Sequence, residues 1–221
     1  MTTRAAIAIA LAAAVIAPRA ATADRAPADT RLVVVGLTLA LPVWALGTVV
    51  HEGSHVVAAE LVGADTVGFR PWPARDRRTG AFQFGLTRVK GLRSDGERLF
   101  FYMAPKLTDL AMLGGYLAMV ETGAYPDGAY GQLVLTVLAT GFWVDFAKDT
   151  FLFSPHNDLV KSMNLLGLRN EWKRLPVRLA FAGASAGLGY VVLRGYDRMF
   201  ALNDDAVAGV PIVLPLASGR F

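Results

Sequence analysis

The sequence contains no cysteine and few charged residues. Without a thiol it has no disulfide, no thiolate metal ligand and no cysteine nucleophile, so any metal must be held by histidine, aspartate or glutamate. Charged residues make up only 18% of the 221 residues, whereas 54% are hydrophobic. This balance is too apolar for an ordinary soluble domain of this length and indicates a membrane protein.

The sequence also lacks the pattern of a nucleic-acid-binding surface. Its formal net charge is +4, from 22 lysines and arginines against 18 aspartates and glutamates. The basic residues flank apolar segments and do not alternate with aromatic residues, so we expect them to set membrane topology. We therefore predict the lipid bilayer as a partner, and no nucleic acid.

The N-terminus has the composition of a secretory signal. Arg4 precedes an apolar run over residues 5–17, and small residues follow at 21–23. We predict a signal peptide over residues 1–23, because the run is short for a stable span; an uncleaved signal anchor is the alternative. The rest of the chain is predicted to form one membrane domain over residues 32–199 and a C-terminal tail over 200–221.

Long apolar segments predict an all-α polytopic membrane fold with about four transmembrane helices. The first segment runs from Leu32 to about Val62 and ends at Gly63. It is longer than one bilayer crossing needs, because about 20 residues suffice. The other three segments lie at about 99–120, 133–153 and 177–193.

The loops between these segments differ in charge. Apolar and polar residues alternate from Asp65 to Gly91 between prolines and glycines, which predicts a short β-hairpin at the membrane surface. This loop and a polar connector over 154–176 are rich in lysine and arginine, whereas the loop over 121–130 has neither. By the positive-inside rule the two basic loops are cytoplasmic. We expect an integral protein of the bacterial inner (plasma) membrane.

A zinc-binding pattern, His51-Glu52-Gly53-Ser54-His55, lies near the cytoplasmic end of the first apolar segment. Histidines four residues apart stand on one face of a helix and can share one tetrahedral ion. Glu52 projects beside them, where it can act as a general base towards a water activated by zinc. The alternative is that the three side chains reach the membrane interface and satisfy one another.

A catalytic zinc requires a third protein ligand. The candidates are the ionisable residues on or just after the later apolar segments: Asp158, His156, Asp149, Asp145 and Asp109. We favour Asp158, with His156 as the alternative, because both are expected at the depth of the histidine pair. Pro155 ends the third helix just before them and frees backbone that can turn a side chain inward.

Two groups of charged residues within the apolar segments have a simpler interpretation. Asp145, Lys148 and Asp149 are spaced by three and four residues, which places both acids within reach of the lysine on one helix. Lys106 and Asp109 are spaced in the same way. We predict that each group neutralises itself.

These features resemble the site-2 protease family of intramembrane zinc metalloproteases over about residues 32–166. In that family a Gly-Pro-x-x-Asn segment follows the ribbon, and Ala104-Pro105-Lys106-Leu107-Thr108-Asp109 is similar, with Asp109 where the asparagine would stand. The family's third ligand is an aspartate in an Asn-Pro…Leu-Asp-Gly segment. The sequence Ser154-Pro155-His156-Asn157-Asp158-Leu159 is similar but lacks the final glycine. The resemblance implies a metalloprotease-like domain over 32–199.

The predicted function is a zinc-dependent intramembrane endopeptidase that hydrolyses a peptide bond in or near a transmembrane segment of a membrane-protein substrate. Its catalytic residue would be Glu52, its metal ligands His51, His55 and Asp158, and its site would lie towards the cytoplasmic side. The alternatives are a non-catalytic membrane protein that binds or moves a metal ion, and a decayed protease that acts as a scaffold. Clustering of the ligands at one side favours catalysis, since transport normally needs polar residues across the whole bilayer.

Overall fold

The structure is a computed structural model that describes residues 30–75, 80 and 82–200, and this part of the chain is mostly helical. It contains five helices: α1 Thr30–Leu61, α2 Asp95–Thr122, α3 Ala129–Phe151, α4 Asp158–Leu165 and α5 Glu171–Phe200. Four short strands lie between α1 and α2: β1 Asp65–Arg70, β2 Ala74–Arg75, β3 Phe82–Gln83 and β4 Leu86–Lys90. The predicted signal peptide or anchor, and all of the predicted tail except Phe200, lie outside the described residues.

Among the described helices, α1, α3 and α5 are long and apolar enough to cross a membrane. The sequence predicted about four such helices. The fourth predicted segment, at 99–120, lies in α2, which is 28 residues long. Its apolar sequence is interrupted by Lys106 and Asp109, which are buried inside the fold.

The length of α1 determines where the histidine pair lies. Its 32 residues extend for about 48 Å at about 1.5 Å per residue, which exceeds the roughly 30 Å of a bilayer core. His51 therefore lies about 30 Å along the helix from its first residue, a distance close to the thickness of a bilayer core. The helix ends at a turn in which Gly63 has a φ of 70° and the Ala64 N–H donates to the carbonyl of Ala59 over 2.9 Å.

The predicted β-hairpin is present between α1 and α2. Strands β1 and β4 pair antiparallel, from Asp65 opposite Lys90 to Arg70 opposite Leu86. The shorter strands β2 and β3 form a second antiparallel pair farther out. The hairpin packs back on the second half of α1, where Thr87 of β4 donates a hydrogen bond to the backbone carbonyl of Glu52 over 3.1 Å. This contact brings β4 directly over the histidine motif.

Helix α3 lies at the centre of the bundle and packs against all four other helices. One apolar cluster joins α2, α3 and α5 and includes Leu113, Tyr116 and Val191. A second cluster joins the first residues of α1 to α3 and α5 through contacts that include Leu32 and Leu133. These two cores fix α1, α2 and α3 side by side, so that polar residues on their facing surfaces meet.

The connector at 154–176 is more structured than the sequence predicted. It contains the eight-residue helix α4, and α5 begins at Glu171, inside the predicted connector. Leu159, Val160 and Met163 form a small buried core against α2 and α5. The expectation of a purely polar linker was wrong here because three apolar residues on one short helix give too brief a pattern to recognise.

Candidate metal centre

His51 and His55 lie one turn apart on α1 and face the interior of the bundle. Their ring centroids are 5.3 Å apart. Both rings are directed towards α4, where the Oδ2 atom of Asp158 lies 3.1 Å from Nε2 of His55 and 3.7 Å from Nε2 of His51. The structure thus brings together three potential ligands whose donor atoms all lie within 4.8 Å of one another.

These separations fit a single small cation. Two ligands at about 2.05 Å from one tetrahedral ion are about 3.3 Å apart, which lies between the two distances from Asp158. The set of two imidazoles and one carboxylate is typical of a catalytic site with a fourth position for water or substrate. His51, His55 and Asp158 could therefore hold a metal ion.

The outer nitrogen of each imidazole has a hydrogen-bond acceptor of its own. Nδ1 of His55 lies 2.8 Å from the backbone carbonyl of Phe101, and Nδ1 of His51 lies 2.7 Å from the Asp145 carboxylate. A carbonyl can only accept, so His55 carries a proton on Nδ1, and its Nε2 is the nitrogen directed at Asp158 and available to a metal ion. Metal-binding histidines usually have such outer partners.

The arrangement needs a cation at its centre. If both Nδ1 atoms carry protons, two nitrogen lone pairs and a carboxylate oxygen converge on one point. These groups repel one another unless a positive charge lies among them. A metal ion is one such charge, and a proton on an imidazole Nε2 is another.

Asp158 is held in its ionised form. Burial raises the pKa of its carboxyl, but hydrogen bonds from imidazoles that carry a proton on Nε2, together with the Lys161 ammonium, act in the opposite direction and hold the pKa well below its usual range. Lys161 donates to Oδ1 of Asp158 over 2.8 Å, which leaves Oδ2 directed at the histidines. An ionised aspartate with one oxygen occupied elsewhere is a suitable monodentate ligand.

A buried lysine organises the outer side of the site. Lys106 of α2 is only 1% exposed, and its ammonium lies 3.1–3.2 Å from the carboxylates of Asp109, Asp145 and Asp149. The same Oδ2 atom of Asp145 contacts Nδ1 of His51. A chain of contacts therefore leads from Lys106 through Asp145 to one metal ligand.

The same lysine also supports the third ligand. Asp149 accepts a hydrogen bond from the Asn157 side chain over 2.8 Å. The side-chain oxygen of Asn157 in turn caps α4 by accepting from the N–H of Val160 over 3.1 Å. This double role fastens the first turn of α4, which carries Asp158, to α3. Loss of Lys106 would leave three carboxylates, two of them buried, without their shared cation.

Glu52 is outside the ligand group, and its carboxylate lies against β4 and the residue before it. Its carboxylate accepts a hydrogen bond from Oγ1 of Thr87 over 2.7 Å, and the residue is 8% exposed. Gly85 lies directly over it, because a β-carbon at that position would overlap the Glu52 carboxylate. The hairpin thus sets the position of this carboxylate, and the lack of a side chain at Gly85 lets the residue just before β4 approach it so closely.

A cleft joins these groups and extends along the bundle. It has a volume of about 830 Å³ and contains His51, Glu52, His55 and Asp158 at one end. From there it runs between α1 and α3 to Leu32 at the start of α1, and its walls are mostly apolar. We call it the metal cleft. Its length and apolar lining suit an extended hydrophobic chain lying beside the ligands.

No protein-family model matches the chain, and no curated protein or solved structure matches it significantly. The geometry of the described residues is therefore the basis for its functional assignment. In that geometry Asp158, not His156, meets the histidine pair. His156 is exposed, and it lies on the wall of the metal cleft outside the ligand group.

The predicted charge groups are only partly correct. Asp145 does pair with Lys148, and Lys106 with Asp109, within their own helices. However, Asp145 also contacts His51, and Asp149 pairs with Lys106 of the neighbouring helix. Residue spacing reveals contacts within one helix, but it does not reveal contacts between neighbouring helices. Gly85 and Thr87 had no recognisable signal in the sequence, because their importance depends on how the hairpin folds back.

Proposed function

We propose that this protein is a zinc-dependent intramembrane endopeptidase, a divergent and minimal member of the site-2 protease family. The observation that carries the proposal is the convergence of His51, His55 and Asp158 beside the buried Glu52 at the end of an apolar cleft. Helices α1, α3 and α5 would cross the bilayer of the inner membrane, with α2 completing the bundle. The two basic loops would then place the site towards the cytoplasm.

Zinc is the metal that this donor set suits best. Two neutral imidazole nitrogens and one carboxylate oxygen match the borderline character of Zn²⁺, and sites for Mg²⁺ or Ca²⁺ use oxygen ligands instead. When bound, zinc would act as a Lewis acid that polarises the scissile carbonyl and makes water more acidic.

Glu52 is suited to move the proton. Its carboxylate is held by Thr87 at the edge of the metal cleft, within the same end that contains the ligands. There it would accept a proton from the attacking water and later transfer it to the leaving amine. The hydrogen bond from Thr87 fixes the orientation of this carboxylate, whose other oxygen lies against Gly85 at the edge of the cleft.

The bundle supplies binding and exclusion of bulk water. The apolar walls between α1 and α3 would receive the hydrophobic residues of a membrane-protein substrate, and α4 contributes Asp158 and Lys161 to the lining of the cleft. Hydrolysis requires the peptide backbone to be unwound at the cut. The hairpin edge at residues 83–87 lines the cleft and could pair with such an extended segment.

The substitution Glu52→Gln tests this mechanism. We expect cleavage of labelled casein or of model transmembrane peptides, by the purified protein in detergent micelles, to fall by about 100-fold or more, the usual contribution of a general base. Bound zinc, measured by elemental analysis, should stay at the wild-type level because Glu52 is not a ligand. The matched control is Glu60→Gln, an exposed glutamate on the same helix, which should cleave at the wild-type rate.

Other results would contradict the proposal. Full activity in the Glu52→Gln variant would remove the proposed role of that carboxylate. Bound zinc without cleavage, together with zinc flux into liposomes that contain the protein, would indicate a metal transporter. A folded protein without zinc would indicate a scaffold.

A further inference from the structure

A second cavity lies against the metal cleft and is strongly basic. It has a volume of about 650 Å³ and lies between β4, the first turns of α2, and α4. Four cationic residues line it: Arg88, Lys90, Arg98 and Lys161. Among the described residues that line it there is no aspartate or glutamate. We call it the basic cavity.

The basic cavity is continuous with the metal cleft. Residues of β4, α2 and α4 line both, including Thr87, Phe101 and Lys161. Lys161 stands between the two, since its ammonium lies 2.8 Å from Asp158 and 5.0 Å from the centre of the Tyr102 ring. A peptide that passes the metal ligands along β4 would therefore enter the basic cavity next.

Arg98 and Lys161, two of the cations that line this cavity, each have a carboxylate partner among the described residues. Arg98 pairs with Asp95 over 3.1 Å, but both side chains are largely exposed, so this pair contributes little. Lys161 pairs with Asp158, whose other oxygen is directed at the histidines. Lys90 is exposed at the end of β4. The cavity thus offers several cations to an anionic group that enters from the metal cleft.

We propose that the basic cavity selects peptide substrates with acidic residues beside their apolar segment. The proposal rests on the peptidase function above and names its substrate class. It implies unusual selectivity, because membrane proteins generally carry lysine and arginine next to their cytoplasmic membrane ends. Such basic flanks would be repelled here, and an acidic flank would be attracted while the apolar part occupies the metal cleft.

The test uses fluorescent peptides that share one apolar core and carry three aspartates, three serines or three lysines at both ends. Their binding to the full-length Glu52→Gln protein in a neutral detergent is measured by anisotropy. We expect the acidic peptide to bind about tenfold more tightly than the basic one at low salt, as charge complementarity at a partly exposed site allows. The difference should shrink at about 0.5 M salt through screening.

Variants identify the cavity as the source of this preference. The double substitution Lys90→Gln with Arg98→Gln should bring the ratio of the two affinities close to one. Lys173→Gln removes an exposed cation that does not line the cavity, so that ratio should stay at its starting value. Equal binding of acidic and basic peptides by the parent protein, or an acidic preference that survives the double substitution, would overturn the proposal.

Two further measurements separate this proposal from its alternatives. If the double substitution weakens retention of phosphatidylglycerol added to the micelles and leaves the peptide ratio unaltered, the cavity binds a lipid headgroup and the proposal fails. Cleavage by the protein without substitutions is scored independently. Cleavage without a charge preference would contradict only the proposed selectivity of the basic cavity. A preference for acidic peptides without cleavage would contradict the proposed peptidase function and would support the cavity as a recognition site.

Discussion

Two buried polar clusters in this bundle have opposite character. Near the start of α3, the hydroxyl of Thr136 lies 3.0 Å from that of Tyr116 and 2.5 Å from that of Tyr125. Close by, Thr140 contacts the Tyr196 hydroxyl over 2.9 Å. Near the other end of α3, the metal centre and its outer cluster consist of imidazoles, carboxylates and ammonium groups. One cluster is neutral and the other is charged.

The difference separates a structural role from the functional role that we propose. Hydroxyl groups satisfy one another inside a bundle at little energetic penalty and hold helices together. Charged groups in an apolar surrounding are unfavourable unless each has a partner, so their concentration at one end needs a further reason. The metal cleft supplies that reason, since it ends at the charged cluster. Substitutions in the two clusters should therefore have different consequences.

The largest effect on metal binding is expected from the third ligand. Asp158→Asn should lower zinc affinity by more than about 100-fold, because even an outer partner of a ligand can contribute 10–100-fold. His156→Ala is the matched control and should leave zinc affinity unchanged. Both affinities can be measured by competition with a zinc-sensitive dye. The opposite order of effects would make His156 the ligand.

An intermediate effect is expected where the charged cluster meets the metal centre. Asp145→Asn removes the charge that orients His51 and pairs with Lys106, so zinc affinity should fall by about 10–100-fold. Asp127→Asn, in the exposed loop after α2, is the control and should have no effect. Wild-type zinc affinity in Asp145→Asn would show that Asp145 only balances charge. The same dye competition measures both variants.

A smaller effect, confined to catalysis, is expected at the hairpin. Gly85→Ala places a methyl group where the Glu52 carboxylate lies, and that flexible side chain is the group that will move. We expect peptide cleavage to fall about tenfold through misplacement of the base, with zinc affinity and thermal stability retained. Cleavage at the wild-type rate would mean that Glu52 does not act from its position under β4.

The smallest effect is expected in the neutral cluster. Tyr116→Phe removes one hydroxyl from the contact with Thr136 and should reduce the free energy of unfolding by about 1 kcal/mol. Zinc affinity should be unaltered, as should cleavage. The thermal unfolding midpoint in detergent measures the first quantity and dye competition the second. A loss of zinc in this variant would contradict the claim that the neutral cluster has only a structural role.

The sequence was sufficient for features that depend on local pattern. Apolar length predicted α1, α3 and α5, and alternation between Asp65 and Gly91 predicted the hairpin. The four-residue spacing of His51 and His55 placed both imidazoles on one face, as the structure has them. These predictions succeeded because neighbouring residues alone determine them.

Features that depend on packing between distant segments were harder to predict. Asp158 was favoured among five candidates because of its expected depth, but spacing alone did not distinguish it from His156. The contacts of Lys106 with Asp145 and Asp149 join α2 to α3, so they follow from how the helices pack. The role of Gly85 depends on the hairpin folding over α1. No local pattern contains this information.

X-ray absorption at the zinc edge, on the purified full-length protein, tests the central claim most directly. The account predicts one zinc ion per chain, surrounded by two imidazole nitrogens and oxygen ligands at about 2.0–2.2 Å. The imidazole contribution should disappear in the His51→Ala/His55→Ala double variant. A protein that takes up no zinc, or a spectrum with its imidazole signal intact in that variant, would contradict the account.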